Sequence, residues 1–176
     1  MDKFKLIRVT KSEDIDKRKL MDIYAESNRE NTSFLCPDER DEDKAISVVE
    51  EGYMGFLEDE FFKNNGATCW ILSVRDEWKS ALRTVKVKDG LYYLEVLEKK
   101  PEERGKGYGA ALLSMVIVAL KKEGPFILSD NVGKHNYPSL RIHEKCGFSV
   151  VSDIGFDYIY KEEDKRQYRL EYRYGE

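Results

Sequence analysis

The most constraining part of the sequence is residues 98–125, EKKPEERGKGYGAALLSMVIVALKKEGP, in which charges and three glycines precede eleven almost entirely apolar residues. The apolar run, residues 110–120, is well short of the roughly 20 residues that span a bilayer. It ends with two lysines, a glycine and a proline, which are typical of a helix C-terminus. We therefore predict a buried helix that begins at a glycine-rich loop and is covered by other elements.

The flanking sequence supplies strands and helices to cover that helix. Helical spacing occurs in residues 14–30, with Ser12 as the cap, in residues 38–63, and in the Asn136-capped segment NYPSLRIHEKCGF. Strand-like runs are separated by turn signals such as Asp89-Gly90, and we predict strands at FKLIRVT, TCWILSV, ALRTVKVK, LYYLEVLE, FILSD, GFSVVSDI and QYRLEYRY. The predicted fold class is α/β (α+β), a single domain of residues 1–176 with a mixed, mostly antiparallel sheet flanked by helices.

Composition narrows the classes of partner and cofactor. The net charge is −4 with basic and acidic residues interspersed, so no broad basic face is expected for nucleic acid. Cys36, Cys69 and Cys146 are far apart and only His135 and His143 accompany them, which predicts neither a disulfide framework nor a metal site. The first residues, MDKFKLIRVTKSEDIDK, lack an apolar signal core. We expect a cytoplasmic protein with no membrane association.

The glycine loop has the features of a phosphate-binding site. A loop that leads into a helix N-terminus directs free backbone N–H groups and the positive end of the helix dipole at one point. Gly105, Gly107 and Gly109 allow close approach of a ligand, and Arg104 and Lys106 supply positive charge. The alternative is an ordinary helix-start loop with solvated charges.

Other nucleotide loops fit the sequence less well. The GxxxxGK[ST] spacing of a P-loop is missing, whereas residues 105–110, GKGYGA, satisfy a loose GxGxxA dinucleotide pattern with Asp130 downstream as a ribose acid. A dinucleotide loop normally follows its strand directly, but KKPEE intervenes here, and too little chain remains for a doubly wound sheet. The dinucleotide interpretation therefore ranks below the next one.

Two linked motifs resemble those of the GNAT superfamily of acyl-CoA N-acyltransferases. Arg104, Gly107 and Gly109 match its RxxGxG/A signature, and the spacing of its downstream motif is kept by Asn136, Ser139, His143, Gly147 and Phe148. The resemblance covers residues 91–151. It implies a fold with splayed central strands, and an N-acetyltransferase that moves an acetyl group from acetyl-CoA to a small-molecule or peptide amine by direct attack in a ternary complex.

The resemblance also implies where coenzyme A binds. The loop would hold the pyrophosphate, and the backbone of residues 97–99 would pair with the pantetheine amides and stabilise the oxyanion. The full predicted set of cofactor-binding residues is Leu97, Glu98, Lys99, Arg104, Gly105, Lys106, Gly107, Tyr108, Gly109, Ala110, Asn131, Asn136 and Ser139.

Three side chains are candidates for acid and base catalysis. His143 stands where members of the superfamily commonly carry a tyrosine acid, and its helical spacing from Asn136 and Ser139 predicts that it faces the cofactor groove. A packed histidine on a half-buried helix face is the alternative. Glu95 and Glu98 are candidate bases on the predicted strand, and only one of them shares a given face unless a bulge intervenes. Glu95 is favoured because it shares strand parity with residues 97 and 99. The alternative is that both glutamates are solvated carboxylates at the strand edge.

The acceptor site is expected in residues 25–66, where EEGYMGFLEDEFF mixes aromatic and acidic side chains suited to a cationic amine. The alternative for that segment is a solvated acidic helix. The sequence leaves the acceptor and the oligomeric state open, a homodimer included. A second hypothesis is a catalytically silent acyl-CoA-binding or interaction module on the same fold, because the loop and groove need neither acid nor base.

Overall fold

Strands form the centre of the molecule, which a computed structural model describes over residues 3–175. They are β1 (Phe4–Val9), β2 (Thr68–Val74), β3 (Glu77–Lys88), β4 (Leu91–Lys99), β5 (Phe126–Gly133), β6 (Ser149–Ser152), β7 (Gly155–Asp157), β8 (Glu162–Asp164) and β9 (Gln167–Tyr174). One seven-stranded sheet has the order β1-β2-β3-β4-β5-β9-β6, and β7 pairs with β8 separately. Only the β4–β5 pair is parallel among the ladders of the described residues. The predicted mixed, mostly antiparallel sheet is confirmed.

The helices are α1 (Lys17–Ile23), α2 (Ala25–Leu35), α3 (Glu42–Asp59), α4 (Tyr108–Lys121) and α5 (Tyr137–Lys145). The prediction of one helix over residues 14–30 is wrong, because Tyr24 leaves helical geometry (φ −90°, ψ 8°) and separates α1 from α2. The cap is also one turn later than predicted, since the Asp16 side chain accepts a hydrogen bond from the Lys19 backbone N–H. The Asn136 cap of α5 is confirmed by its hydrogen bond from the Ser139 N–H.

The sheet is covered on both faces. On one face α4 packs its buried side chains Leu112, Leu113 and Val116 against strand residues such as Leu82 and Leu94. On the other face, α1 and α3 and the turn after α3 supply Leu20, Ile23, Leu57 and Phe61 against Ile71, Ala81 and Tyr93. Within residues 3–175 no helix is long and apolar enough to cross a membrane.

The parallel strands β4 and β5 separate halfway along β4. Their pairing runs only from Leu91 and Ile127 to Leu94 and Asp130. Beyond that point β4 pairs with β3 up to Lys99, and β5 continues to pair with β9. The strand edge of β4 that faces β5 is therefore open over residues 95–99, as the resemblance implies.

A hairpin that the sequence analysis did not predict, β7–β8, lies against the end of β5. The Asn131 side chain donates to the Phe156 backbone oxygen (2.8 Å) and accepts from the Phe156 N–H (2.9 Å). It also donates to the Tyr93 hydroxyl at 3.1 Å, and the Tyr93 ring packs 5.5 Å from that of Tyr158. These contacts bring the hairpin over the divergent ends of β4 and β5.

Candidate functional site

A cleft of about 580 Å³ lies at the open end of β4. One wall is α2, the opposite wall is the first turn of α5, and the floor is the end of β4 together with the glycine loop. The lining residues are Glu26, Ser27, Glu30, Leu97, Glu98, Lys99, Arg104, Gly105, Asn136, Pro138, Ser139 and Ile142. Seven of the predicted cofactor-binding residues are thus brought together around one cleft.

The glycine loop is shaped to receive a ligand at its backbone. Gly105 (φ +78°) and Gly107 (φ +82°) are in the left-handed region, and a Cβ atom added at either would meet no atom within 4 Å. Gly107 is the N-cap of α4 and no side chain caps that helix. The first N–H groups of α4 can therefore bind an anion, with the helix dipole adding to the attraction.

Gly109 has a different role, which is close packing. A Cβ atom there would lie 3.0 Å from Cδ of Lys99 and 3.5 Å from Cδ1 of Ile142. The absence of a side chain therefore lets α4, the end of β4 and α5 approach one another at the loop.

A second cavity of about 270 Å³ continues the cleft between the loop and α5, sharing Lys99, Gly105, Pro138 and Ile142 with it. Its remaining lining residues are Glu103, Gly107, Gly109, Ala110, Arg141 and Lys145. Arg141 and Lys145 were not among the predicted cofactor-binding residues, and their separation by four residues puts them on one helix face with Pro138. They add positive charge beside the glycine loop.

Both cations of the loop are paired with carboxylates. Arg104 binds both carboxylate oxygens of Glu26 on α2 through its two terminal nitrogens. Lys106 donates to Glu103 at 2.7 Å, and the other oxygen of Glu103 accepts from Lys79 of β3 at the same distance. The two ammonium groups hold the pKa of the Glu103 carboxyl below its usual value. The loop is thereby tied to β3.

A β-bulge decides how the two candidate bases point. Arg83 of β3 pairs with Val96, but the next residue, Thr84, pairs with Leu94, so Glu95 is the extra residue of β4. The bulge reverses the alternation along the strand, and Leu94 and Leu97 both pack into the α4 side of the core. The predicted parity of Glu95 with residues 97 and 99 is therefore wrong.

Glu95 forms a buried ion pair on the opposite face of the sheet. Its Oε2 lies 2.8 Å from Nε of Arg83, and the side chains are 13% and 8% exposed. Arg83 also donates to the Tyr53 hydroxyl at 2.5 Å and lies over the rings of Tyr53, Phe56 and Phe61. Burial raises the pKa of the Glu95 carboxyl, and the Arg83 charge opposes that rise. Glu95 therefore fixes Arg83 within an aromatic cluster.

Glu98 lies in the cleft itself, across from Glu30 of α2. Burial raises the pKa of its carboxyl, while the neighbouring Lys99 acts in the opposite direction. A carboxylate that is partly desolvated and lines the cleft is a stronger proton acceptor than an ordinary surface glutamate.

His143 does not face the groove, so its predicted orientation is wrong. The side chain is fully buried, with Nε2 2.6 Å from Oδ2 of Asp130 and Nδ1 2.8 Å from the backbone oxygen of Ser139. Its ring also makes an edge contact with Phe148. Burial alone lowers the pKa of His143, but the hydrogen bond and charge of Asp130, with the Ser139 oxygen, produce a net rise. An imidazole held in this way serves the packing of α5 on β5.

Two predicted cofactor-binding side chains are also used elsewhere. The Asn131 amide is occupied by the β7–β8 hairpin, as described above. The Tyr108 ring packs 5.9 Å from that of Phe4, and its backbone oxygen accepts from the Ser80 hydroxyl at 3.2 Å. Only the backbone N–H of Tyr108 remains suited to the predicted role.

Comparison with known proteins assigns this fold to a family of acyltransferases, two of whose solved structures hold coenzyme A. The profile of the acetyltransferase (GNAT) family matches residues 17–148, so the chain belongs to the GNAT family. No curated protein sequence gives a significant match.

Solved GNAT structures share the fold at low sequence identity. The PaiA N-acetyltransferase of Thermoplasma acidophilum, in complex with coenzyme A, is 19% identical with a TM-score of 0.66, covering 98% of this chain and 99% of that one. A Bacillus subtilis acetyltransferase in complex with coenzyme A is 17% identical (TM-score 0.60, 99% of each chain). The ribosomal-protein-S18-alanine N-acetyltransferase of Escherichia coli is 18% identical (TM-score 0.59, 98% and 94%).

Proposed function

We propose that the protein is an N-acetyltransferase that moves an acetyl group from acetyl-CoA to an amine by direct attack in a ternary complex. The observation that carries this proposal is that the open strand edge, residues 95–99, reaches the cleft while the uncapped N-terminus of α4 lines the cavity that continues it. A thioester arm needs backbone partners along its length, and its pyrophosphate needs an anion site at its end. The cleft and the cavity that continues it offer both side by side.

The residues present fit coenzyme A. The open space beside Gly105 and Gly107 leaves room for phosphate oxygens at the backbone, and the surrounding cations are Arg104, Lys106, Arg141 and Lys145. Acetyl-CoA supplies an activated acyl group with a thiolate leaving group. The protein's part is to orient that group, exclude water and accept the proton of the amine.

Glu98 is the proposed general base. The acceptor must attack as a neutral amine, and Glu98 lies in the cleft at the end of β4 with a raised carboxyl pKa. Backbone N–H groups of residues 97–99 on the open edge are proposed to stabilise the oxyanion. The acceptor would enter between α2, which lines the cleft with Glu26, Ser27 and Glu30, and the β7–β8 hairpin.

Binding of coenzyme A by isothermal titration calorimetry is the first test. Arg104→Ala should weaken binding about 10- to 100-fold, because a charge-assisted two-pronged contact with phosphate is lost. Gly107→Val should abolish it, because a side chain would fill the anion site and strain the left-handed backbone. Arg8→Ala is the matched control, since Arg8 is similarly exposed but pairs with Glu123, just beyond the end of α4 that is away from the glycine loop.

The binding and activity results together distinguish the N-acetyltransferase from the catalytically silent acyl-CoA-binding module. Unchanged affinity in Arg104→Ala would contradict the assignment of this loop. If coenzyme A binds as expected, release of free thiol from acetyl-CoA is then measured with spermidine, kanamycin and an alanine-initiated peptide as acceptors. Thiol release above the rate without amine supports the transferase. Tight binding with no release for any amine favours the catalytically silent acyl-CoA-binding module.

A further inference from the structure

We propose that Glu26 of α2 competes with the phosphates of coenzyme A for Arg104, and so restrains cofactor binding by the free protein. This inference rests on the proposed function, since coenzyme A is taken as the ligand of the loop. Glu26 engages both terminal nitrogens of the guanidinium, one of them at 3.1 Å. A carboxylate bound in this two-pronged manner uses the same donors that a phosphate group would use.

The Glu26–Arg104 ion pair can be broken at little cost in stability. Its side chains are 43% and 51% exposed, and an exposed ion pair contributes little to stability. Glu103, the carboxylate that pairs with the second loop cation, is buried and held by both Lys79 and Lys106. Glu103 therefore belongs to the loop, whereas Glu26 reaches it from a separate helix and can leave without disturbing it.

The position of Glu26 makes the competition unavoidable. Glu26 and Arg104 both line the cleft proposed for the cofactor, Glu26 from the α2 wall and Arg104 from the glycine loop. A polyphosphate bound at Arg104 would lie beside the Glu26 carboxylate, and these two negative charges would repel each other. Binding must therefore break the contact that joins α2 to the loop, and α2 is the wall along which the acceptor is proposed to enter.

The test is a double-mutant cycle on coenzyme A affinity, measured by isothermal titration calorimetry at low ionic strength. Glu26→Gln should bind coenzyme A about 3- to 10-fold more tightly than the wild type, because a weak competing ion pair and a like-charge repulsion are removed. In an Arg104→Ala background the same substitution should have a smaller effect than in the wild type, because no guanidinium is left to release and only the like-charge repulsion is removed.

Glu30→Gln is the control for net charge. Glu30 lines the same cleft one helical turn further along α2, so its loss changes the charge equally. Its expected effect is less than about twofold, and smaller still at high salt, which screens charges at a distance. Equal gains in Glu26→Gln and Glu30→Gln, or an unchanged Glu26→Gln, would overturn the competition while leaving coenzyme A binding intact. Absence of binding in the wild type would instead refute the proposed function, and the competition with it.

Discussion

Glu98→Gln should lower the rate of amine-dependent thiol release from acetyl-CoA about 100- to 10,000-fold, the usual contribution of a general base. The amide has nearly the shape of the carboxylate but cannot accept a proton from the acceptor amine. Affinity for coenzyme A should stay within about threefold, because the predicted cofactor contacts of this strand are made by its backbone. Release is followed with a thiol reagent, using the best amine of the acceptor panel.

Glu95→Gln is the matched control for that experiment. It makes the same chemical change three residues away, but its carboxylate is paired with Arg83 in the aromatic cluster and not directed at the cleft. We expect loss of stability, because the buried Arg83 charge loses its partner, with turnover of the folded enzyme within about threefold of the wild type. The opposite pattern, a large loss in Glu95→Gln with Glu98→Gln active, would make Glu95 the base.

The pH profile gives an independent check on the same group. Only the ionised carboxylate accepts a proton, so the rate should fall as the pH is lowered through the pKa of Glu98. Because burial raises that pKa, the fall should begin at a higher pH than the value of about 4.3 for an ordinary glutamate would give. A rate that is flat down to the ordinary value would argue against Glu98 as the base.

The choice between these two carboxylates shows where sequence patterns stop being sufficient. The strands β2, β3 and β4, the buried helix α4 and the Asn136 cap follow from local spacing, because each is signalled by neighbouring residues alone. The bulge at Glu95 depends on register between two strands. Its only local trace is the pair of core residues Leu94 and Leu97, which are three apart and could not share a face in a regular strand.

Tertiary partners explain the other differences. The helical spacing of Asn136, Ser139 and His143 is correct, but the direction of the imidazole is decided by Asp130, on another element. The role of Glu26 depends in the same way on Arg104, 78 positions later in the chain. The β7–β8 hairpin has strands of only three residues each and is held in place by the Asn131 side chain of β5, a partner that local spacing does not reveal.

His143→Phe should reduce the free energy of unfolding by about 3–5 kcal/mol, because it leaves the Asp130 carboxylate buried without its partner. Phenylalanine keeps an aromatic ring beside Phe148, so the loss reports mainly on the polar pair. Chemical denaturation followed by circular dichroism measures it. In conditions where the variant is folded, its turnover should stay within about threefold of the wild type, since the imidazole does not line the cleft. A loss of about 100-fold or more in folded protein would restore the general-acid role.

The double variant Asp130→Leu with His143→Phe shows why His143→Phe loses stability. The cause is either the broken pair with Asp130 or a poor fit of phenylalanine at the site. Replacing both members of a buried ion pair by apolar groups removes the unpaired charge, so much of the lost stability should return.

The same double variant also tests whether the buried His143 binds a proton. Its raised pKa means that the folded wild type binds the proton more tightly than the unfolded chain, whose histidine titrates near about 6.5. That stabilisation is complete below about pH 6.5 and is lost as the pH rises through the folded pKa. The stability of the wild type relative to the double variant should therefore fall as the pH rises above about 6.5, whereas parallel curves would mean that the buried histidine stays neutral.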